Sequence, residues 1–246
     1  MNLENVDVNE DILLVDKPAD WTSFDVVAKV RGQLTGNIRD SHKDNLDKCP
    51  TFPQKGSCKC KLKVGHTGTL DPLATGLLVL AIGKATKNIQ SLIKVDKVYE
   101  VEVTLGLTST TGDSEGELSV VVSNQQSAIS EGQVKAILNE FSGKISQTPP
   151  KYSAIKVNGV RAYKLAREGK EFELKPRQVT VEYIKDVEYS HPVLRFTCKV
   201  SSGTYIRSLV EDIGKELGCG AYMTDLRRTK VGEFNIKDAV DPTSVI

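Results

Sequence analysis

Extended segments that follow one another without an intervening helix restrict the fold of this chain more than any other feature. Residues 179–187 and 193–200 are both rich in the β-branched and aromatic residues that favour strands. Residues 12–15 and the alternating segment 101–105 have the same character. Because these strands do not alternate regularly with helices, a parallel sheet built from βαβ units is not expected. The sequence predicts an α+β fold with a mixed, largely antiparallel sheet and flanking helices.

Apolar residues at helical spacing indicate where the flanking helices lie. The first such segment begins with Phe24, and the Thr-Ser pair at residues 22–23 can cap it. Ser130 and Gln133 have the spacing of a capping box ahead of a second apolar stripe. The uninterrupted apolar run 77–82 fits either a strand buried on both faces or a buried helical turn.

Length and charge restrict the class of protein without identifying it. The 246 residues allow one large domain or two smaller ones, and we expect a single domain over residues 1–246. Charged residues make up 26% and apolar residues 39%, which is typical of a soluble globular protein rather than a disordered one. The N-terminus lacks a secretory signal, and no apolar run approaches the roughly 20 residues that cross a membrane. We therefore expect a cytoplasmic protein that does not bind a membrane.

An irregular basic insertion is predicted at about residues 36–63, where no periodicity survives. Residues 29–63 carry nine Lys or Arg against three Asp, which fits phosphate binding and a solvated insertion equally well. Three cysteines lie there near His42: Cys49, Cys58 and Cys60. They lack the paired Cys-x2-Cys spacing of structural zinc sites, so we expect thiols and no metal, with zinc as the open alternative.

Chemistry is most concentrated in residues 65–76, which read G-H-T-G-T-L-D-P-L-A-T-G. Three glycines suggest a backbone that a large ligand approaches closely, and the proline after Asp71 restrains that residue to an extended conformation. A carboxylate held on a stiff loop can act as a nucleophile or a base. It can equally be a turn aspartate that binds its own backbone, which is the commoner situation. The loop alone leaves both interpretations open.

This loop resembles the G-H-T-G-x-L-D-P-x-A-x-G-x-L signature of the TruB family of tRNA pseudouridine-55 synthases. Four more family motifs have counterparts in the same order: K-P-A-D-W-T-S at 17–23, D-K-V-Y-E at 96–100, S-G-T-Y-I-R-S-L at 202–209 and L-R-R-T at 226–229. The first of these four departs from the family because Asp20 replaces the usual glycine. Ordered motifs over most of the chain make the resemblance specific.

The resemblance implies a pseudouridine-synthase-like catalytic domain that isomerises uridine at position 55, in the T-arm of tRNA, without a cofactor. It implies that Asp71, Tyr99 and Arg207 are catalytic. It also implies that the extruded uridine, or the RNA beside it, is contacted by His66, Tyr99, Tyr205 and Leu226. The RNA backbone is expected to be bound by Lys87, Lys151, Arg227 and Arg228.

Local sequence gives independent grounds for Arg207. A helix is predicted after Gly203, and Thr204 as its N-cap places Arg207 in the first turn. A cation there opposes the helix dipole by a few tenths to about 1 kcal/mol, which favours a specific anionic partner. We therefore predict that Arg207 keeps the carboxylate of Asp71 ionised. Judged locally, Tyr99, Tyr205 and Leu226 are ordinary strand or core residues, and His66 is a turn residue.

Two alternative functions remain open. A guide-RNA-dependent synthase of the related dyskerin type shares much of the motif set but also carries a C-terminal PUA domain, for which the short segment after L-R-R-T leaves no room. A non-catalytic tRNA-binding or tRNA-folding module is disfavoured by the intact Asp71, Tyr99 and Arg207. We expect a monomer that acts on tRNA and needs no protein partner.

Overall fold

The backbone forms a mixture of strands and short helices in two compact units. The computed structural model describes residues 6–41, 62–121 and 129–243. The strands are β1 Glu10–Lys17, β2 Val64–His66, β3 Thr75–Gly83, β4 Lys97–Leu105, β5 Leu107–Ser109, β6 Leu118–Val120, β7 Gly143–Gln147, β8 Lys156–Val157, β9 Val160–Arg161, β10 Arg177–Ser190, β11 Val193–Val200, β12 Ala221–Val231 and β13 Phe234–Asn235. The helices are α1 Ser23–Ser41, α2 Ile89–Ile93, α3 Glu131–Glu140, α4 Ala162–Arg167 and α5 Ile206–Glu216, with 3-10 helices at Lys84–Asn88 and Ile236–Asp238.

One boundary between the two units falls within strand β12. The first unit consists of Met1–Val95 and Arg227–Ile246, and the second consists of Asp96–Leu226. The pairs β1–β3, β2–β3, β4–β11, β10–β11, β7–β10 and β12–β13 are antiparallel, whereas β3 and β12 run parallel. The prediction of an α+β fold around a mixed, largely antiparallel sheet is confirmed.

Strand β3 is the centre of the first unit. β1 pairs with it along its whole length, β2 pairs with its last residues, and β12 pairs with Thr75 and Gly76 at its start. Residues 77–82 lie within strand β3, and every one of them is buried. Of the two predicted alternatives, the structure therefore shows the doubly buried strand and not the helical turn. This arrangement places the end of β2 and the start of β3 on either side of the loop that carries Asp71.

Helix α1 covers one face of the first unit's sheet. Val26, Val27, Val30 and Leu34 pack against apolar residues of β1 and β3, and each such buried side chain contributes about 1.5–3 kcal/mol. The expectation that Phe24 belongs to this stripe was wrong, because its side chain is 66% exposed. The helix cap is as predicted for Thr22, whose Oγ1 accepts a hydrogen bond from the N–H of Asp25 at 3.1 Å.

Helix α1 is longer than the sequence predicted. It continues to Ser41, so the first residues of the predicted 36–63 insertion are helical, because helix formation propagates without an apolar stripe once it is anchored. Residues 42–61 lie outside the described part of the chain, and so do His42, Cys49, Cys58 and Cys60. The zinc question therefore stays a prediction.

The second unit is built on a four-stranded antiparallel arrangement in the order β4, β11, β10, β7. Strand β4 shows the predicted alternation, with Val101, Val103 and Leu105 buried. Helix α3 begins with the predicted capping box, in which Ser130 Oγ accepts from the N–H of Gln133 and Gln133 Oε1 accepts from the N–H of Ser130. Cys198 is buried in β11, as expected, and burial raises the pKa of its thiol to about 12.

None of the helices within residues 6–41, 62–121 and 129–243 is both long and apolar enough to span a bilayer.

Candidate active site

The loop between β2 and β3 carries Asp71 in the first unit. Asp71 is half-buried, and its carbonyl oxygen accepts a hydrogen bond from the N–H of Ala74 at 3.1 Å, which closes a turn around Pro72. The N–H of Asp20 donates to the carbonyl of Pro72 at 3.0 Å, so the K-P-A-D segment is bound directly to this turn. The two motifs that the sequence analysis found far apart therefore form one structural feature.

Lys17 ties the same two segments together from inside the unit. Its side chain is fully buried, and its Nζ donates to the carbonyls of Pro18 at 2.8 Å, Trp21 at 2.6 Å and Pro72 at 3.0 Å. Burial lowers the pKa of Lys17 to about 8, against the opposing charges of Asp20 and Asp71. The loop of Asp71 is thus held by a buried amine whose charge interacts with the Asp71 carboxylate.

Two further residues fix the geometry of this loop. Ser23 Oγ donates to the carbonyl of Leu70 at 3.1 Å and accepts from its N–H at 2.8 Å. Asp20, which stands where the family has glycine, adopts a left-handed backbone conformation with φ of 64°. Aspartate tolerates this region better than most residues, so the departure from the motif preserves the turn that glycine would form.

Arg228 has an internal role that corrects its assignment as an RNA contact. It is 2% exposed, its Nε donates to the carbonyl of Leu77 at 2.8 Å, and its Nη2 donates to the carbonyl of Gly68 at 3.1 Å. A buried guanidinium already bound to two carbonyls is not available to a phosphate. Arg227 differs, because it is partly exposed and pairs with Asp16 at 2.6 Å.

His66 lies at the end of β2 rather than in an irregular turn, because it pairs with Leu80 of β3. Its Nδ1 accepts a hydrogen bond from the N–H of Gly68 at 3.3 Å. Burial lowers the pKa of His66, and the nearby charge of Arg228 lowers it further. Both effects favour a neutral imidazole.

In the second unit, Arg207 lies in the first turn of α5, as predicted, and is 6% exposed. Its Nη1 donates to the carbonyl of Thr111 at 2.9 Å, and its Nη2 donates to the carbonyl of Tyr152 at 3.1 Å. The carboxylate of Asp113 lies 3.5 Å from Nη1. A guanidinium held at both ends of its fork has one orientation, which suits a group that must present charge to a fixed point.

The cap of α5 differs from the prediction. Tyr205, not Thr204, is the N-cap residue, and it makes no side-chain capping bond. The Thr204 hydroxyl instead donates to the carbonyl of Ser201 at 2.9 Å, while the N–H of Tyr205 donates to Gln147 Oε1 at 2.8 Å. A side chain from a distant strand thus takes the place of a local cap, and no local sequence pattern predicts this contact.

Asp113 is the residue of this region that sequence reasoning missed. It is 2% exposed, and its Oδ1 accepts hydrogen bonds from the Thr111 hydroxyl and from the N–H of Glu115. The T-T-G-D-S-E-G segment indicated only a polar turn. A buried carboxylate that supports Arg207 became visible only through the tertiary contact.

The remaining predicted residues lie on strands, helix ends and exposed loops. Tyr99 is 8% exposed in β4, opposite Cys198 of β11, and Leu226 is 6% exposed in β12. Tyr205 is half-buried before α5. Lys87 and Lys151 are exposed and compatible with phosphate binding.

The described residues contain no group of three or more His, Cys, Asp or Glu side chains suited to a metal ion. Their chemistry is that of acids, bases and cations. The first unit offers a carboxylate on a restrained loop, which suits nucleophilic or general-base work. The second offers a fixed guanidinium, which suits stabilisation of negative charge.

Comparison with known proteins places most of the chain in one group. A family model described as "TruB family pseudouridylate synthase (N terminal domain)" matches residues 55–206, and one described as "tRNA pseudouridylate synthase B C-terminal domain" matches residues 207–245. A protein named tRNA pseudouridine synthase B from Pseudomonas fluorescens is 42% identical over 229 residues, which cover 93% of this chain and 66% of the relative. A protein of the same name from Thermobifida fusca is 42% identical over 238 residues, with 93% and 71% covered.

The chain is also similar to a solved structure, at lower identity. The structure titled "Crystal Structure of a Cbf5-Nop10-Gar1 Complex" matches with a TM-score of 0.65 and 28% identity, over 98% of this chain and 54% of that one. The chain therefore spans just under two thirds of the Pseudomonas fluorescens relative and about half of the chain in the solved complex.

Proposed function

The chain belongs to the TruB family of pseudouridylate synthases, and from this premise we propose that it converts uridine 55 in the T-arm of tRNA to pseudouridine. The observation that carries the proposal is the family match over residues 55–206, which include Asp71, Tyr99 and Tyr205. Both family models span the boundary between the two units, which supports treating them as parts of one catalytic domain.

The reaction is an isomerisation. The bond between C1′ and N1 breaks, the uracil turns, and a bond between C1′ and C5 forms; C5 loses its hydrogen as a proton, and N1 gains a proton. Because no electrons are transferred to another molecule, we propose that no cofactor takes part. Asp71 supplies the nucleophile or base, by attack on the ring, attack on C1′ or removal of a sugar proton.

We assign supporting roles to Arg207 and Tyr99. Arg207 stabilises negative charge that develops during the reaction. Its fixed fork supports this role, since it is held by Thr111 and Tyr152 carbonyls. Tyr99 places its ring against the base and assists proton transfer through its hydroxyl.

Substrate binding requires the uridine to leave its stack, at a cost of a few kcal/mol. His66, Tyr205 and Leu226 contact the extruded base or the RNA beside it. Lys87, Lys151 and Arg227 bind phosphates and offset part of that cost. The basic insertion at about residues 36–63 adds further contacts to the tRNA.

The proposed enzyme acts as a monomer in the cytoplasm and needs no protein partner. This distinguishes it from a guide-RNA-dependent synthase, the alternative that shares much of the motif set. The relatives with 42% identity carry the name of a tRNA synthase, which favours the stand-alone enzyme. The non-catalytic tRNA-binding module is the third possibility.

One assay separates these three functions. Unmodified tRNA transcript carrying [5-³H]uridine is incubated with the purified protein alone, and tritium released from C5 is counted. We expect release approaching one tritium per tRNA, and none from a transcript with cytidine at position 55. Binding without release would support the module, and neither binding nor release would support dependence on partners.

A further inference from the structure

Two neighbouring side chains of the second unit contact Tyr205 and the backbone around it. Gln147 ends β7 and Arg177 begins β10, and these residues are partners in the antiparallel register. Gln147 is fully buried, and both ends of its amide bind the same residue. The N–H of Tyr205 donates to Oε1 at 2.8 Å, and Nε2 donates to the Tyr205 carbonyl at 3.0 Å.

Arg177 stacks on the side chain of the same tyrosine. Its Cζ lies 4.9 Å from the centroid of the Tyr205 ring, within the range of a cation–π contact. Its Nη2 donates to the carbonyl of Gly203. Its Nε is buried without a hydrogen-bond partner in the part of the chain that the structure describes. Stacking on the ring therefore accounts for the position of the guanidinium better than hydrogen bonding alone does.

The turn before α5 is fixed to the same strand. Ser201 and Thr180 exchange two hydrogen bonds: the Ser201 N–H donates to the Thr180 carbonyl at 2.8 Å, and the Thr180 N–H donates to Ser201 Oγ at 2.9 Å. Gly203 has φ of 85°, and the Arg177 guanidinium lies 3.8 Å from where a Cβ would stand. Residues of β10 thus help to fix the backbone of the turn, and Arg177 in addition contacts the Tyr205 ring.

Helix stability does not explain this arginine. A cation beside the N-terminus of α5 opposes the helix dipole, and Arg207 already places one charge in the first turn. A second cation at this position is unfavourable unless it serves another purpose. Orientation of the half-buried ring is the purpose that the contacts indicate.

We propose that Arg177 and Gln147 are positioning residues that act through Tyr205: Gln147 fixes its backbone, Arg177 fixes its ring, and the ring then meets the extruded uracil in one orientation. This inference rests on the proposed function, because it takes Tyr205 to contact the substrate. Neither residue touches the reacting atoms. Because both act by orienting a ring against the extruded uracil, we expect them to affect the rate of isomerisation rather than the affinity for tRNA.

The first test measures single-turnover tritium release and tRNA affinity for Arg177→Met. We expect the rate to fall about 10- to 100-fold, because a misplaced contact costs up to about that much, while the Kd for tRNA and the Tm stay near those of the wild type. Arg177→Lys restores part of the rate, since an ammonium also stacks on a ring. Arg167→Met is the matched control, because Arg167 lies over the Tyr163 ring at 5.6 Å in the same unit.

A double-mutant comparison tests whether the effect passes through Tyr205. If Arg177 acts only on this ring, Arg177→Met in a Tyr205→Leu background slows isomerisation no further. An additional loss as large as in the wild-type background would overturn the proposal. Gln147→Met removes both the donor and the acceptor at a similar volume, so it is expected to slow isomerisation, and an unchanged rate would remove Gln147 from the proposal.

A readout without substrate separates this inference from the proposed function. The protein is labelled with 3-fluorotyrosine, and the ¹⁹F signal of Tyr205 is assigned from Tyr205→Phe. Arg177→Met should shift or broaden that signal and leave the other tyrosines unchanged. An unchanged signal, or a changed signal with an unchanged rate, overturns the proposal. If the wild type releases no tritium, the proposed function fails by itself, and the ¹⁹F signal still decides whether Arg177 orients the ring.

Discussion

The loop of Asp71 and the helix start of Arg207 are both organised by buried cations, but in opposite ways. In the first unit, Lys17 and Arg228 bind backbone carbonyls of the loop, and the proposed catalytic carboxylate is carried by the backbone that they hold. In the second unit, the proposed catalytic group is itself the buried cation, bound by Asp113 and two carbonyls.

This difference predicts how the two regions respond to mutation. In the first unit, an uncharged residue that holds the loop, such as Ser23, can be changed without touching the chemical group, so stability and catalysis can be measured separately. In the second unit, any change to Arg207 alters support and chemistry together. Conservative substitutions are therefore most informative there.

Apart from replacement of Asp71 itself, the largest effect is expected for Arg207→Lys, which keeps the charge but cannot bind both carbonyls with one planar fork. Single-turnover isomerisation should fall at least about 100-fold, the scale found when one preorganised charged donor is lost from an active site. Arg195→Lys is the control, because Arg195 is an exposed arginine that pairs with Glu102. A rate within about threefold of the wild type would show that the fork has no catalytic use.

Gly76→Ala should produce a large loss of stability in the first unit. A Cβ at Gly76 would lie 2.3 Å from the Arg228 carbonyl oxygen, at a position with φ of 100°. We expect the free energy of unfolding in urea to fall by about 3 kcal/mol, because backbone atoms of a packed strand must move. Gly143→Ala in the second unit has φ of 97° and open space around the Cβ, so it should cost only about 1 kcal/mol. Equal losses for the two variants would contradict this account of the β3–β12 contact.

Ser23→Ala tests the hydrogen bonds that hold the loop. The buried Leu70 N–H would lose its acceptor, and the free energy of unfolding should fall by about 1–3 kcal/mol. Ser91→Ala, which removes an exposed hydroxyl bonded to the Asn88 carbonyl, should change it by less than about 0.5 kcal/mol. A loss at Ser23 no larger than that at Ser91 would remove Ser23 from the set of residues that fix the loop.

The smallest effect concerns the pH dependence of stability at His66. Its folded pKa lies below the ordinary value of 6.5, so the unfolded chain binds the proton more readily. Stability contributed by the neutral ring is therefore present above pH 6.5 and is lost as the pH falls through 6.5 towards the folded pKa. The drop in Tm between pH 7.5 and 5.5 should be smaller in His66→Asn than in the wild type. The same drop should persist in His191→Asn, which alters an exposed histidine.

Local pattern was sufficient for several of the longer elements of secondary structure. The alternation in β4 and the capping box of α3 each predicted the observed element, because the periodicity of buried residues is set by strand and helix geometry. The apolar run of β3 left a strand and a helical turn open, because it has no periodicity to distinguish them. Phe24 failed because a residue at the first turn of a helix can point away from the sheet.

The contacts that organise the candidate site join residues that lie far apart in the sequence. Local patterns therefore did not predict them. Gln147 replaces the cap of α5 from 58 residues away, and Arg228 binds Gly68 from 160 residues away. Tertiary packing decides which group a buried polar atom binds, and the periodicity of apolar residues carries no information about that partner. Asp113 was missed for this reason, whereas the roles of Asp71, Tyr99 and Arg207 remain proposals.

The most direct test of the central claim is single-turnover tritium release by Asp71→Asn, with tRNA affinity and Tm measured in parallel. The amide keeps the shape of the side chain but is neither a nucleophile nor a base, so the account predicts a rate at least about 1,000-fold below the wild type with tRNA still bound. Release within tenfold of the wild-type rate would contradict it.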